Sequence, residues 1–154
     1  MKHLYIMRHA AASHASSDFD RPLNIEGRKQ LEDFCSHTLG LFDSVSHVLC
    51  STSTRTRQTC AGIKDILMPS IHYQFLDSLY HAPAGILLEE VQLLPDTARD
   101  ILVIAHNPGV SDFLGLCATS VSMTLGTAQV ACFEVKADSW AALTFNDCTL
   151  QEIR

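Results

Sequence analysis

Apolar residues follow two different patterns along the chain, and the two patterns alternate. The runs at residues 3–7 and 45–51 are rich in residues that favour strands. The clearest strand is at 100–106, a continuous apolar run that suits a sheet covered on both faces. After the first run, the spacing i, i+3, i+4, i+7 indicates an amphipathic helix whose apolar stripe contains Leu31, Phe34, Cys35 and Thr38. This alternation predicts an α/β fold with a mostly parallel central sheet flanked by helices.

The other elements follow from composition and from residues that favour helix ends. Asn24 is a candidate N-cap for a helix from residue 25, and Pro83 and Asn107-Pro108 are placed to open two later helices. The full set comprises helices from residue 25 and over 55–67, 84–94 and 109–118, with further strands over 72–76, 129–135 and 140–145. No repeat or linker interrupts the pattern, which predicts a single domain spanning residues 1–154.

Composition limits the classes of function. The 154 residues carry a formal charge of −6, which argues against general binding to nucleic acid or to an anionic membrane. Neither a secretory signal nor a membrane span is apparent, and six cysteines without a C-x-x-C pair fit reduced thiols, so we expect a cytoplasmic protein. The eight histidines form no H-E-x-x-H motif, so neither a metal nor a cofactor is expected.

Polar residues with distinctive chemistry follow three of the predicted strands. Arg8-His9 ends the first strand, Ser51 ends the second and leads into a turn that contains Arg55, and His106 follows the third. Because the carboxyl ends of parallel strands share one edge of a sheet, these side chains are expected to converge. Such a local cationic cluster in an acidic protein suits a dianionic phosphate.

Several motifs occur in a fixed order along nearly the whole chain. Strand-Arg8-His9 is followed by DFDRPLNIEG at 18–27, by Ser51-x-x-x-Arg55-x-x-Gln58-Thr59, by AHNPGVSD at 105–112 and by an expected terminal strand pair around Trp140. Because it carries these motifs in this order, the chain resembles the histidine phosphatase superfamily, and within it the small SixA-type phosphohistidine phosphatases. The resemblance implies the superfamily's α/β sandwich fold.

The resemblance also implies roles for four residues. His9 is the implied nucleophile, Arg8 and Arg55 bind the phosphoryl group, and His106 completes the phosphate pocket. These residue types suit the chemistry, because a neutral imidazole attacks phosphorus through one nitrogen while a carbonyl or carboxylate holds the proton on the other. Arginine forks match the equatorial oxygens, and His106, if protonated, would add a positive donor. The implied activity is hydrolysis through a covalent phosphohistidine on His9, without a cofactor.

Two departures from the family pattern stand out. Ala10 lies where relatives commonly have glycine, a tolerable change unless the backbone there needs a positive φ. Other branches supply a glutamate as leaving-group acid, whereas the comparable segment here offers Tyr80 and His81. We expect Arg21 to tie down its loop or to shape the pocket rim, since a binding role for it is less favoured.

The substrate class remains open at this point. A phosphorylated protein bearing phosphohistidine is the favoured substrate, and a small phosphoester metabolite is the alternative. A phosphate-binding module without turnover is a third hypothesis, which the presence of His9 disfavours because binding alone needs no nucleophile.

Overall fold

A six-stranded sheet forms the centre of the computed structural model, which describes residues 1–120 and 122–154. The strands are β1 Lys2–Arg8, β2 Val45–Ser51, β3 His72–Leu76, β4 Asp100–Ala105, β5 Val130–Val135 and β6 Cys148–Ile153. Their order across the sheet is β3-β2-β4-β1-β5-β6. The four strands from β3 to β1 in this order pair in parallel, and β5 pairs antiparallel with both β1 and β6. The predicted mostly parallel α/β sheet is therefore confirmed.

Four helices cover the two faces of this sheet. They are α1 Ile25–His37, α2 Thr54–Gly62, α3 Ala84–Gln92 and α4 Gly109–Cys117. Residues of α1 and α2 share one apolar core with one face of the strands, and residues of α3 and α4 share a second core with the other face. None of the helices in the described ranges has the length and apolar character needed to cross a membrane.

The strand β1 shows why the central runs are apolar throughout. Leu4 and Ile6 pack into the core beneath α3 and α4, whereas Tyr5 and Met7 pack into the core beneath α1 and α2. Successive side chains of a strand point to opposite faces, so a strand covered on both sides must be apolar at every position. Each fully buried aliphatic side chain contributes about 1.5–3 kcal/mol of transfer free energy.

One strand prediction was wrong. Residues 140–145 form turns, with the amide of Leu143 donating to the carbonyl of Trp140, and the last strand is instead β6 at Cys148–Ile153. The Trp140 indole is fully buried and its Nε1 donates to the Ala98 carbonyl at 2.8 Å. The apolar residues of this segment therefore reflect burial of a connecting loop, while the edge strand β6 is largely exposed and carries a polar sequence.

Two helix boundaries also differ from the prediction. The α2 helix ends at Gly62 instead of residue 67, and a short 3-10 turn over Lys64–Ile66 follows it. Glycine weakens a helix interior, which accounts for an end at this position. The α3 helix ends at Gln92 instead of residue 94, whereas α4 begins at Gly109 as predicted.

The start of α4 lies in close contact with the segment that precedes α3. A Cβ added at Gly109 would lie 2.0 Å from the carbonyl oxygen of Ala82, so the two backbones meet without space for a side chain. Glycine is required here for the close approach and not for an unusual φ.

We predict that Gly109→Ala lowers the free energy of unfolding by about 1–3 kcal/mol, because one of the two backbones must shift. The matched control is Gly115→Ala on the same helix, where an added Cβ meets no atom within 4 Å. That variant should be stabilised by about 0.5–1 kcal/mol. Urea denaturation of both variants measures the difference, and equal stabilities would contradict the prediction.

Candidate active site

The parallel pairing of β1 with β4 brings two predicted site residues together. Arg8 is the register partner of Ala105, so His9 and His106 each follow the end of neighbouring strands. Their ring centroids lie 5.3 Å apart. Ser51 ends β2, the neighbour of β4 on its other side, and its hydroxyl reaches His106.

The His9 imidazole has a fixed orientation. Its Nδ1 lies 2.8 Å from the carbonyl oxygen of Ala10, which can only accept a hydrogen bond, so the ring proton is on Nδ1 and the lone pair is on Nε2. His9 is 8% exposed, and burial lowers its pKa to about 4, with the Arg55 and Arg8 charges acting in the same direction and the Ala10 carbonyl opposing them. The ring is therefore neutral at neutral pH.

Arg55 lies in the first turn of α2 and is 3% exposed. Its Nε donates to the His9 Nε2 at 3.3 Å, so the guanidinium lies directly against the lone pair of the imidazole. The helix is fixed to the chain after β1 through Thr59, whose hydroxyl accepts the Ala10 amide at 3.0 Å and donates to the Arg55 carbonyl. Ser53 caps the helix, since its hydroxyl accepts from the Thr56 amide.

His106 is also neutral, so it contributes a hydrogen bond to the site without a positive charge. Burial lowers its pKa to about 3, and the Arg55 charge acts in the same direction. Its Nε2 lies 2.8 Å from the hydroxyl of Ser51, which is fully buried. Because His106 Nε2 is the one acceptor that the described residues offer this hydroxyl, Ser51 donates to it and the ring proton is on Nδ1.

Two buried nitrogen atoms at the site have no hydrogen-bond partner among residues 1–120 and 122–154. They are Nε of Arg8 and Nδ1 of His106. Arg8 is otherwise held by NH1, which donates to the Leu125 carbonyl at 3.0 Å. Buried polar groups are nearly always hydrogen-bonded, so two unpaired donors at one site indicate the position of an acceptor-rich ligand.

Asp18 is a member of the site that the sequence analysis did not single out. Its carboxylate accepts from the hydroxyl of Tyr80 at 2.5 Å, from Nε2 of His81 at 2.8 Å and from NH2 of Arg55 at 3.1 Å. The Tyr80 hydrogen bond, followed by those of His81, Arg21 and Arg55, holds the pKa of Asp18 well below its usual range. Arg21 is three residues away, but Arg55, Tyr80 and His81 are 37 to 63 residues away in sequence, and no local pattern indicates those contacts.

Arg21 and His81 lie at the rim of the site. Arg21 donates from Nε to the Ser13 carbonyl at 2.9 Å and from NH1 to Asp18 at 3.1 Å, which fits the expected role in tying down its loop. His81 has a positive φ of 52°, an uncommon backbone conformation for a residue with a side chain. Ala10 has no positive φ, so the backbone there does not require the glycine that is common in the family.

These side chains surround a cavity of about 390 Å³. Its lining includes all four predicted site residues, Arg8, His9, Arg55 and His106, together with Asp18, Arg21, Glu26 and His81. A wider groove of about 680 Å³ lies between α3 and α4, but Asp112 is the one ionisable side chain among its described lining residues. The ionisable side chains therefore concentrate in the smaller cavity, whose lining includes three arginines and two carboxylates. Within the described ranges, histidine, cysteine and carboxylate side chains form no cluster that could hold a metal ion.

Comparison with known proteins places this arrangement in a family. Residues 4–82 match the family model of the histidine phosphatase superfamily (branch 1). The chain is 33% identical over 120 residues to an uncharacterized protein of Mycobacterium tuberculosis, an alignment that covers 77% of this chain and 73% of that protein.

Two solved structures share the fold over almost the whole chain. The Nakamurella multipartitia protein assigned as phosphohistidine phosphatase SixA superposes with a TM-score of 0.83 at 27% identity, covering 99% of this chain and 95% of the other. The protein histidine phosphatase SixA complexed with tungstate superposes with a TM-score of 0.81 at 25% identity, covering 98% and 95%. The chain thus belongs to the histidine phosphatase superfamily, is of the SixA type, and is a phosphatase.

Proposed function

We propose that the protein is a phosphohistidine phosphatase that acts on a phosphorylated protein through a covalent phosphohistidine on His9. The observation that carries the proposal is the state of the His9 ring, whose Nδ1 proton is held by the Ala10 carbonyl at 2.8 Å. The ring is neutral, so its Nε2 keeps a lone pair at the cavity, where it accepts a long hydrogen bond of 3.3 Å from Nε of Arg55. A neutral imidazole in this tautomer is the form that attacks phosphorus.

The groups around His9 suit a phosphoryl group. Arg8 and Arg55 supply planar donors for the equatorial oxygens, on which charge is spread in the transition state. The unpaired Nε of Arg8 and Nδ1 of His106 are donors for further oxygens. Tungstate in the SixA complex is a tetrahedral oxyanion of phosphate-like shape, which supports an oxyanion site in this chain too.

The reaction divides into two displacements. In the first, His9 Nε2 forms a bond to phosphorus while the bond from phosphorus to the substrate nitrogen breaks; the substrate ring, which carries a proton from solvent on its other nitrogen, leaves as neutral imidazole. In the second, water attacks phosphorus, the bond to His9 Nε2 breaks, and inorganic phosphate leaves. The proton on Nδ1 stays hydrogen-bonded to the Ala10 carbonyl in both steps, so the nucleophile is regenerated in its starting tautomer.

The choice of phosphohistidine over alkyl phosphates follows from the leaving group. A phosphohistidine ring protonated on its other nitrogen releases neutral imidazole, whose conjugate acid has a pKa of about 6.5, so it leaves with little further assistance. An alkoxide, for which water at about 15.7 is the reference, needs a proton in the transition state. Asp18 is the carboxyl group nearest the phosphoryl-binding arginine, and its lowered pKa keeps it ionised. An ionised carboxylate cannot donate that proton.

We predict that His9→Ala abolishes formation of the phosphoenzyme and lowers kcat by several orders of magnitude, because the covalent nucleophile is lost. The measurement is mass spectrometry of an acid-labile adduct of about +80 Da (the mass of a phosphoryl group) after rapid mixing with phosphohistidine peptide, together with steady-state turnover. The control is His14→Ala, which removes an exposed histidine from the loop after β1. A His9→Ala variant with wild-type turnover would refute the mechanism.

We predict that the His9 ring in the ligand-free protein titrates near pH 4, well below the ordinary histidine value of about 6.5. A lowered pKa means that the neutral nucleophile is present at pH 7 and is lost only as the pH falls through about 4. The measurement is an NMR titration of the ring Cε1 proton, identified by its absence in His9→Ala. A midpoint at or above the ordinary histidine value would show that the site does not keep the ring neutral.

We predict that kcat/KM for a phosphohistidine peptide and for p-nitrophenyl phosphate exceeds that for alkyl phosphates by about 10²–10⁴, the usual contribution of a general acid. Glu26 also lines the cavity, so the same panel is measured on Glu26→Gln. Faster turnover of an alkyl phosphate than of the peptide would overturn the substrate assignment. If that activity were lost in Glu26→Gln, Glu26 would be the acid.

A further inference from the structure

Three donors from two separate parts of the chain converge on one oxygen atom, Oδ2 of Asp18. They are NH2 of Arg55 at 3.1 Å, the hydroxyl of Tyr80 at 2.5 Å and Nε2 of His81 at 2.8 Å. The Asp18 backbone carbonyl also accepts from NH1 of Arg55 at 2.7 Å. One residue therefore occupies both terminal nitrogens of the arginine that lies against His9.

The exposure of the two partners differs sharply. The side chain of Arg55 is 3% exposed, whereas that of Asp18 is 42% exposed. A permanent counterion for a buried arginine would normally be buried with it, since an ion pair screened by solvent contributes little. The Asp18 carboxylate instead contacts the buried Arg55 while remaining partly exposed to solvent.

The segment that carries Asp18 lies outside both apolar cores. Residues 14–20 are all exposed and form neither helix nor strand. Besides the hydrogen bonds to Asp18 itself, the segment is attached by the Thr54 amide on the Phe19 carbonyl and by the Phe19 ring, which packs edge-on against Tyr80 at a centroid distance of 5.1 Å. Moving this segment outward would break no contact within either apolar core.

We propose that the Asp18 carboxylate is an internal competitor that occupies part of the anion site in the free enzyme and is displaced by the incoming phosphoryl group. Displacement releases Arg55, Tyr80 and His81 as donors to the substrate, so Tyr80 and His81 become additional phosphoryl-binding residues. This inference rests on the proposed function of the same site. It assigns the role of substrate donor to two residues outside the group of His9, Arg8, Arg55 and His106.

The phosphoryl group and the Asp18 carboxylate are both negatively charged, so they compete for the same donors of Arg55. A phosphoryl dianion on the NH2 of Arg55 would lie within a few ångströms of the Asp18 carboxylate, and two like charges at that distance repel strongly in a partly buried site. Hydrogen bonds from Tyr80 and His81 hold the pKa of Asp18 well below its usual range, so protonation does not relieve the repulsion. Outward movement of Asp18 does relieve it.

The test is the dissociation constant for tungstate, measured by calorimetry on the wild type, Asp18→Ala and Asp20→Ala. Asp20 lies in the same exposed segment and carries the same charge, but its side chain contacts Ser17 and not the site. If Asp18 occupies the site about nine-tenths of the time, its removal tightens binding about tenfold. Asp20→Ala should bind tungstate as the wild type does.

Double variants test directly whether the released donors bind the anion. In the Asp18→Ala background, Tyr80→Phe and His81→Ala should each weaken tungstate binding again, because a donor that Asp18 no longer occupies is removed. Asp18→Asn, which keeps the size of the side chain but not its charge, should also bind tungstate more tightly than the wild type. It replaces Asp18→Ala if that variant does not fold.

The outcomes that contradict the inference are distinct from those that contradict the proposed function. Weaker tungstate binding in Asp18→Ala would mean that Asp18 positions Arg55, and equal effects of Asp18→Ala and Asp20→Ala would mean that only net charge matters. Either result overturns the displacement. A wild-type protein that binds no tungstate at all would instead contradict the phosphatase site itself.

Discussion

The parallel pairing of β1 with β4 at the centre of the sheet is the constraint on which the site depends. It sets Arg8 opposite Ala105, so the residues that follow, His9 and His106, leave the sheet side by side. A one-residue slip in this register would send every side chain of β1 to the opposite face and remove its apolar residues from their cores. The two cores therefore fix the distance between the two histidines as firmly as they fix the fold.

Burial and hydrogen bonding set the charges at this edge of the sheet. Burial lowers the pKa of His9 and of His106 and so favours their neutral forms, while hydrogen bonds from the donors around Asp18 lower its pKa and hold it ionised. The positive charge of the site therefore resides on its arginines, and the histidines contribute a lone pair and an N–H group. This division suits a nucleophile, because a protonated His9 would have no lone pair to offer.

The sequence could predict the central strands and the four main site residues, but not all of their surroundings. Strands β1 and β4 were predictable because burial on both faces demands apolar residues along their central positions, and β2 was predictable from its strand-favouring residues. Resemblance to a family identified Arg8, His9, Arg55 and His106. The edge strand β6 was missed because an exposed edge imposes no such demand, and residues 140–145 were misassigned because Trp140 and Leu143 are buried within a loop. Asp18 was missed because its partners lie far away in sequence.

The contact between Gly109 and the Ala82 carbonyl has a consequence for divergence among related enzymes. It joins the start of the helix that follows His106 to the segment that carries His81, backbone against backbone, so neither can be lengthened or shortened without disturbing the other. The exposed segment at residues 14–20 has no such restriction, because neither core depends on it. Insertions, deletions and substitutions there can change which substrates reach the site while the groups that transfer phosphate stay in place. New substrate ranges in this family are thus expected to evolve in that segment first.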